Sequence, residues 1–461
     1  MSVCVWPDVV KEGHLVMGEF NSEQYWRNPD WVKLPEIHDP SSRNIVLALD
    51  ELLFLFCEDT DVLITRFKFN SVLKSYLSFL GFNFTSNSRN IQQNPAEREA
   101  DLFQIIVDHP GRIWELAPQL RVRRSFNPYS LVCRWDRLAQ TLNLNFSGPD
   151  LEIVKKVNSK VYSCRLSQAL GLPGGGTVVE NGRELLEKGE VLLKNGPFLL
   201  KDPYGVSGKG NILVQSIQIL ERLVKYFEGQ ARNGLTICFV IEPFLDKARD
   251  FSCSLKIDRT GRSELVSVQE MINRNFAYQG SVAADPAFVD WLDRKKYFDV
   301  IKKIAKNLYQ EGYFGSVCVD SMELTSGAIV PIVEINARKS MGLINYRVDR
   351  YLSRYGLKGN LLFFNVGYRR GLRFEQVMEA LNAAGLLFTP GKKCGVMPLS
   401  ANTLVVNQEW RRLADPVDDE GQAVYQGRIY FSVIAAAHRQ RECLSQAVRS
   451  LLQAMSCTVY N

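Results

Sequence analysis

Between Gly315 and Gly342 the chain reads GSVCVDSMELTSGAIVPIVEINARKSMG. An apolar run carries one carboxylate, Asp320, and after a turn a second apolar run leads to Glu334, Asn336 and Arg338. Alternate residues of a strand share a face, so Glu334, Asn336 and Arg338 point the same way. If the runs pair as a hairpin with the five residues Thr325 to Ile329 as loop, Asp320 falls opposite Glu334 on that face; a four-residue loop sends it to the other. The pairing needs the longer loop or a bulge. Hard oxygen ligands this close suit Mg²⁺, which keeps several waters and takes its remaining ligands from phosphates. The competing explanation is an ordinary hairpin with charged residues at its end, and the sequence upstream decides between the two.

Upstream, Phe198 to Lys201 is a short apolar run that leads into Asp202-Pro203-Tyr204-Gly205-Val206-Ser207-Gly208-Lys209-Gly210. Glycines let backbone N–H groups close on phosphate oxygens, and Lys201 and Lys209 add positive charge, so strand and loop make a lid rather than a plain basic hairpin. Gly174-Gly175-Gly176 is a poorer phosphate loop, because no Lys-Ser/Thr pair follows it; it reads as a flexible helix-to-strand connection. The helical segment before it contains Lys160 and ends near Leu170. A strand over Leu235 to Ile241 reaches Glu242-Pro243-Phe244-Leu245, and Asp250-Phe251-Ser252 opens another. Such a connector can offer adenine backbone donors and acceptors plus an apolar wall, with the acid a few residues on receiving ribose hydroxyls.

The chain has 461 residues, too many for one ordinary core, and its 46% hydrophobic and 23% charged content is that of a globular protein. A net charge of +6, spread along the chain, fits an anionic ligand, gives hardly any support to a nucleic-acid stripe, and is explained equally well by plain solubility. The opening residues carry Asp8 and Glu12 where an export signal needs a cationic start, and the apolar run Ile45 to Cys57 contains Asp50 and Glu51 and is too short for a bilayer. A cytoplasmic protein without a membrane span is expected. Ten cysteines stand singly and only four histidines could share a metal, so buried reduced thiols are expected. His14, His38 and His109 stand alone and carry no catalytic reading.

Periodicity predicts strands over Asp61–Phe67, Leu102–Val107, Glu264–Ile272, Thr403–Val406 and Arg428–Ala435. It predicts helices over Ser71–Leu80, Arg134–Leu142, Leu220–Phe227, Arg294–Gln310, Phe374–Ala384 and Arg441–Met455. In the last helix Leu444, Val448, Leu451, Leu452 and Met455 form a core-facing side. The fold class is α/β (α+β).

In this order, Lys160, KDPYGVSGKG, IEPFLDKARDFS, VCVDSM and VEINARKSMG resemble the ATP-grasp superfamily over about residues 150 to 345. The resemblance implies a two-lobed fold with the nucleotide between two sheets, spanning 149–350 and completed by 351–461, after an N-terminal α/β pre-ATP-grasp domain over 1–148. Around Asn127 the NPYS segment and the helix after it are similar to those of pheganomycin-type peptide ligases. Carried over, the resemblance assigns Lys160 and Lys201 to nucleotide phosphates, covered by a loop containing Gly205, Ser207, Gly208, Lys209 and Gly210. It assigns Glu242, Phe244 and Leu245 to the adenine site and Asp250 to the ribose. Asp320, Glu334 and Asn336 would hold Mg²⁺, with Mn²⁺ as its substitute. Arg338 would meet phosphate or a substrate carboxylate, with Arg274 a second candidate. The implied reaction makes an acylphosphate and ADP from a carboxylate and ATP, and an amine of an amino acid or peptide then displaces phosphate. An acyl-carrier-protein thiol as acceptor, a phosphotransferase and a non-catalytic ATP-binding regulator are the rivals; the intact metal-ligand set speaks against the last. The acid, the acceptor and the oligomeric state are not legible.

Overall fold

Three sheets carry the chain, and the computed structural model describes residues 13–36, 39–121, 124–205, 210–274, 277–369, 371–414 and 423–461. The first sheet is parallel, in the order β3-β2-β1-β4, from β1 (His14–Met17), β2 (Val62–Leu63), β3 (Thr85–Ser86) and β4 (Ser125–Pro128). Parallel strands need crossover connections, and helices such as Ser71–Phe79 supply them. The second sheet is a small antiparallel lid, order β5-β8-β6-β7, from β5 (Thr177–Val179), β6 (Phe198–Lys201), β7 (Asn211–Val214) and β8 (Phe239–Pro243). Its apolar side packs on the helix Ile217–Ala231, whose Leu220, Leu223, Val224 and Phe227 recur at helical spacing and are buried.

The third sheet is large. It contains β9 (Lys247–Ile257), β10 (Ser263–Arg274), β11 (Ala277–Ala283), β12 (Gly315–Leu324), β13 (Ile329–Asn336), β14 (Gly359–Arg369), β15 (Cys394–Pro398), β16 (Val424–Ala435) and β17 (Thr458–Val459). They run β13-β12-β9-β10-β11-β14-β16-β15, with β17 beside β14. The strands after residue 351 therefore extend the same sheet that holds Asp320 and Glu334. One apolar core joins Leu52, Phe54 and Leu73 of the N-terminal part to Ile344 and Val348 of the helix Met341–Leu352 and to Phe364 and Phe431 of this sheet.

Two expected strands are helices. Leu102–Val107 lies in the helix Leu102–Asp108: Asp101 accepts the Gln104 N–H at 2.8 Å as an N-cap, and Leu102, Phe103, Ile105 and Ile106 are buried at helical spacing. Thr403–Val406 lies in the helix Asn402–Ala414. Its N-terminal N–H groups are received by a residue some 350 positions away: Glu51 accepts from Ala401, Asn402 and Thr403 at 2.9, 3.1 and 3.1 Å. The strand expected over Asp61–Phe67 is confined to Val62–Leu63. No helix among the described residues is long and apolar enough to cross a membrane.

Candidate functional site

The β12–β13 hairpin sets the acidic row. Near its turn Glu323 pairs with Ile329 and Met322 with Val330, yet farther in Asp320 pairs with Glu334 and Cys318 with Asn336. Pro331, Ile332 and Val333 thus lie opposite Ser321 alone, a bulge of two extra residues. Pro331 brings no N–H to the ladder, and the Ser321 hydroxyl donates to its carbonyl at 2.8 Å. The turn itself is short, with Gly327 at φ +74° and the Leu324 N–H bonded to Ala328 O. Asp320 comes opposite Glu334 through the short turn and the two-residue register shift of the bulge, not through a five-residue loop.

On that face the side chains form one chain of contacts. Asn336 Nδ2 donates to Asp320 Oδ2 at 3.0 Å, and Arg338 Nη2 donates to Asn336 Oδ1 at 2.9 Å. Arg338 Nε and Nη2 also donate to Glu23 Oε1 at 2.8 and 2.5 Å. Burial, and then the Glu334 carboxylate, push Asp320 up to about 7. Burial alone would lower the Arg338 guanidinium, but Glu23 and then Tyr129 hold it above its usual value.

Opposite the row, Ser159 caps the helix Lys160–Ala169 and places Lys160 at its first turn. Lys160 is 5% exposed; its Nζ donates to Glu334 Oε1 at 3.0 Å and to the carbonyl of Gly205 at 2.5 Å. Lys201, 4% exposed at the end of β6, pairs with Glu242 on neighbouring β8. Gly205 and Gly210 close the neck of the glycine loop: a Cβ on Gly205 would lie 2.4 Å from the Gly210 Cα, and one on Gly210 would lie 2.2 Å from the Gly205 Cα. Ser207, Gly208 and Lys209 lie outside the described residues, as do His38 and the side chain of Arg274.

Lys160 of the helix, Lys201, Val240 and Glu242 of the lid and Ile332 and Val333 of the large sheet line a narrow cleft. Phe244 is 41% exposed, and its N–H donates to Pro197 O; neither it nor Leu245 lines this cleft. Asp250 accepts from Lys247 Nζ at 2.5 Å and Asn273 Nδ2 at 2.8 Å.

Other groups that the sequence did not assign to the site lie at or beside it. Gly174, Gly175 and Gly176 line the cleft; Gly174 has φ +79°, and a Cβ on Gly176 would come 2.8 Å from Ile241 O. Glu23 comes from the N-terminal part, is 2% exposed and has no partner for Oε2 among the described residues. Lys339 bonds Asn127 Oδ1 at 2.7 Å and the Pro128 carbonyl, which brings the NPYS segment against the site. Burial, then Arg347, lowers Lys339 to about 7.

The fold recurs in solved structures. The chain superposes on biotin carboxylase from Campylobacter jejuni in complex with ATP with a TM-score of 0.54 at 13% identity, covering 98% of this chain and 92% of that one. For the biotin carboxylase domain of the Hydrogenobacter thermophilus 2-oxoglutarate carboxylase, in complex with MgADP, ADP and bicarbonate, the values are 0.51, 14%, 98% and 91%. For an N5-carboxyaminoimidazole ribonucleotide synthetase in complex with ADP they are 0.50, 13%, 95% and 96%. The chain has the ATP-grasp fold. No protein-family model matches it. A curated protein of Niallia circulans, the [Butirosin acyl-carrier protein]–L-glutamate ligase, is 26% identical over 199 residues, 42% of this chain. The match spans less than half of that relative, 46% of its length.

Within this ATP-grasp fold the acidic row fits a divalent cation. No three His, Cys, Asp or Glu side chains gather as a metal cage among the described residues. Two carboxylates and an amide are what Mg²⁺ takes when phosphates complete its shell. Two converging carboxylates that hold Asp320 near 7 would gain from a cation between them.

Proposed function

We propose that the chain is an ATP- and Mg²⁺-dependent ligase that activates a carboxylate as an acylphosphate, releases ADP, and passes the acyl group to an amine of an amino acid or peptide. The observation that carries this reading is the row Asp320, Glu334, Asn336 and Arg338, joined through Glu334 to Lys160, which lines a cleft with Lys201 between two sheets. Phosphoryl transfer asks for positioning and charge neutralisation and needs no protein nucleophile. Lys160 and Lys201 now pair with Glu334 and Glu242, and both would exchange those carboxylates for phosphate oxygens. Asp320, Glu334 and Asn336 would hold Mg²⁺, which neutralises the terminal phosphates. Glu242 to Leu245 would flank the adenine and Asp250 would take the ribose. Arg338, held between Asn336 and Glu23, would orient the attacking carboxylate toward the γ-phosphorus. The glycine loop from Gly205 to Gly210 would cover the phosphates and keep water from the acylphosphate.

A second acceptor is favoured by the butirosin relative, by name a ligase of an acyl-carrier protein and L-glutamate: a carrier thiol could replace the amine and give a thioester. The net charge of +6 suits an acidic carrier. The test is nucleotide release with a panel of amino acids, short peptides and a carrier protein, each with hydroxylamine as a trap. ADP with an acyl hydroxamate supports the reading. AMP and pyrophosphate, or ATP binding without turnover on any member of the panel, count against it.

A further inference from the structure

Arg27 follows the short helix Glu23–Trp26, and its guanidinium joins two structures. Nε and Nη2 donate to Asp202 Oδ2 at 3.0 and 2.9 Å. Nη1 donates to the carbonyls of Asn28 and Trp31, both at 3.2 Å, and Nη2 to that of Val32 at 2.6 Å. The second set folds residues 28–32 into a strap that crosses onto the lid. There the Val32 N–H donates to Thr236 O at 2.9 Å, the Thr236 N–H donates to Asp30 O at 2.8 Å, and Gln230 bonds both backbone groups of Lys33. Val32 and Leu34 are buried in the lid's own core with Phe198, Leu200 and Phe239. The lid is therefore built in part from the N-terminal segment.

Asp202, at the other end of the contact, organises the base of the glycine loop. Its Oδ1 accepts the Tyr204 N–H at 2.9 Å, its carbonyl accepts the Gly205 N–H at 3.2 Å, and its own N–H donates to Gly210 O at 2.8 Å. Arg27 and Asp202 are largely shielded, with side chains 16% and 9% exposed, so the fork is not a solvent-screened surface pair. We infer that Arg27 is a positioning residue for the terminal phosphates: acting through Asp202, it fixes the neck formed by Gly205 and Gly210 from the N-terminal part of the chain. Two donors of one planar guanidinium converge on the single oxygen Oδ2 and leave Oδ1 to the Tyr204 N–H, a fixed fork that an ammonium does not reproduce. The inference rests on the ATP reading. The base and ribose contacts proposed above come from other segments, so the effect belongs to nucleotides that carry β- and γ-phosphates.

The experiment is calorimetric titration of the full chain with Mg²⁺-ATP and with AMP, for wild type, Arg27→Lys, Arg27→Gln, Asp202→Asn and the Arg27→Gln/Asp202→Asn double variant. Arg27→Gln is expected to weaken ATP about tenfold and AMP less than about twofold, with the double variant no worse than the poorer single. Arg27→Lys, the gentler change should Gln compromise folding, is expected to lose ATP affinity selectively as well, because it keeps the charge but not the fork. Equal losses for ATP and AMP, wild-type affinity in both Arg27 variants, or simply additive effects in the double variant would reduce Arg27 to a structural strap. If wild type binds neither nucleotide, the ATP reading falls with the inference; if wild type prefers ATP and the variants match it, only the inference falls.

Discussion

Lys160 Nζ lies 3.0 Å from Glu334 Oε1 and 2.5 Å from the Gly205 carbonyl, so one buried ammonium ties the acidic hairpin to the neck of the glycine loop. A nucleotide bound as proposed would remodel this contact, since the carboxylate and the carbonyl already engage the donors that phosphate oxygens would take. The same holds for Lys201 and Glu242. The cleft is thus charge-balanced before any ligand arrives.

Glu334→Gln is expected to keep the fold and to lower turnover by on the order of 100-fold while raising the Mg²⁺ requirement. The residue is partly exposed on a strand face beside Lys160, not in an apolar core, so its loss would act on the proposed metal site and on Lys160. Circular dichroism and an Mg²⁺ titration of activity check it; normal turnover at unchanged Mg²⁺ dependence would remove Glu334 from the metal set.

Lys201→Ala is expected to raise the ATP requirement strongly, whereas Lys209→Ala acts more on turnover. Lys201 is fixed at the end of β6, and its removal also leaves Glu242 part-buried without its cation, which costs on the order of 3 kcal/mol. A Lys201→Met/Glu242→Gln pair should recover that stability without recovering ATP binding. Chemical denaturation and steady-state kinetics separate the two effects; small, equal kinetic effects from both lysines would mean that neither faces phosphate.

The acidic row was legible from alternation on a strand, and the neck of the glycine loop from glycine where two backbones touch at Gly205 and Gly210, whereas Lys160 was singled out only by the resemblance. The bulge that aligns Asp320 with Glu334 had a signal in Pro331, which within a strand marks an edge or a bulge, and β13 is both the edge of the sheet and bulged there. Glu23 and Arg27 had none, since their partners lie 315 and 175 positions away. The same distance explains the misread helix at Asn402: Thr403-Leu404-Val405-Val406 favours a strand locally, and only Glu51, brought over by the fold, supplies the cap. The apolar run at Leu102 failed differently, because a short run cannot distinguish a buried strand from a buried helix.

Glu51 carries a pH dependence. Burial raises it from its ordinary 4.5 to about 7, against the lowering effect of the N–H groups of Asn402, Thr403 and Ala401. An acid raised in the folded state binds its proton more tightly there, so its contribution is full below about pH 4.5 and is lost as pH rises through 7. Relative to Glu51→Gln, wild type is expected to lose on the order of 2–3 kcal/mol between pH 5 and pH 8. Urea unfolding of both proteins at the two pH values measures this. A gap that does not change with pH would show that the carboxylate is already ionised at pH 5.

The chemistry itself leaves an isotopic record. If the substrate carboxylate attacks the γ-phosphorus, one carboxylate oxygen bridges carbon and phosphorus until the acceptor breaks the bond to carbon and leaves that oxygen on phosphate. With ¹⁸O in the carboxylate, inorganic phosphate should therefore carry one labelled oxygen per turnover, and ADP none. The result is the same for an amine or a thiol acceptor, so it tests the activation step apart from the identity of the acceptor. Arg338→Lys should slow label transfer and product formation together, because it loses the fork that meets Asn336 and Glu23 and would orient the carboxylate. Label found in AMP, or retained wholly in the product, would exclude attack on the γ-phosphorus and leave the ATP-grasp fold with a different reaction.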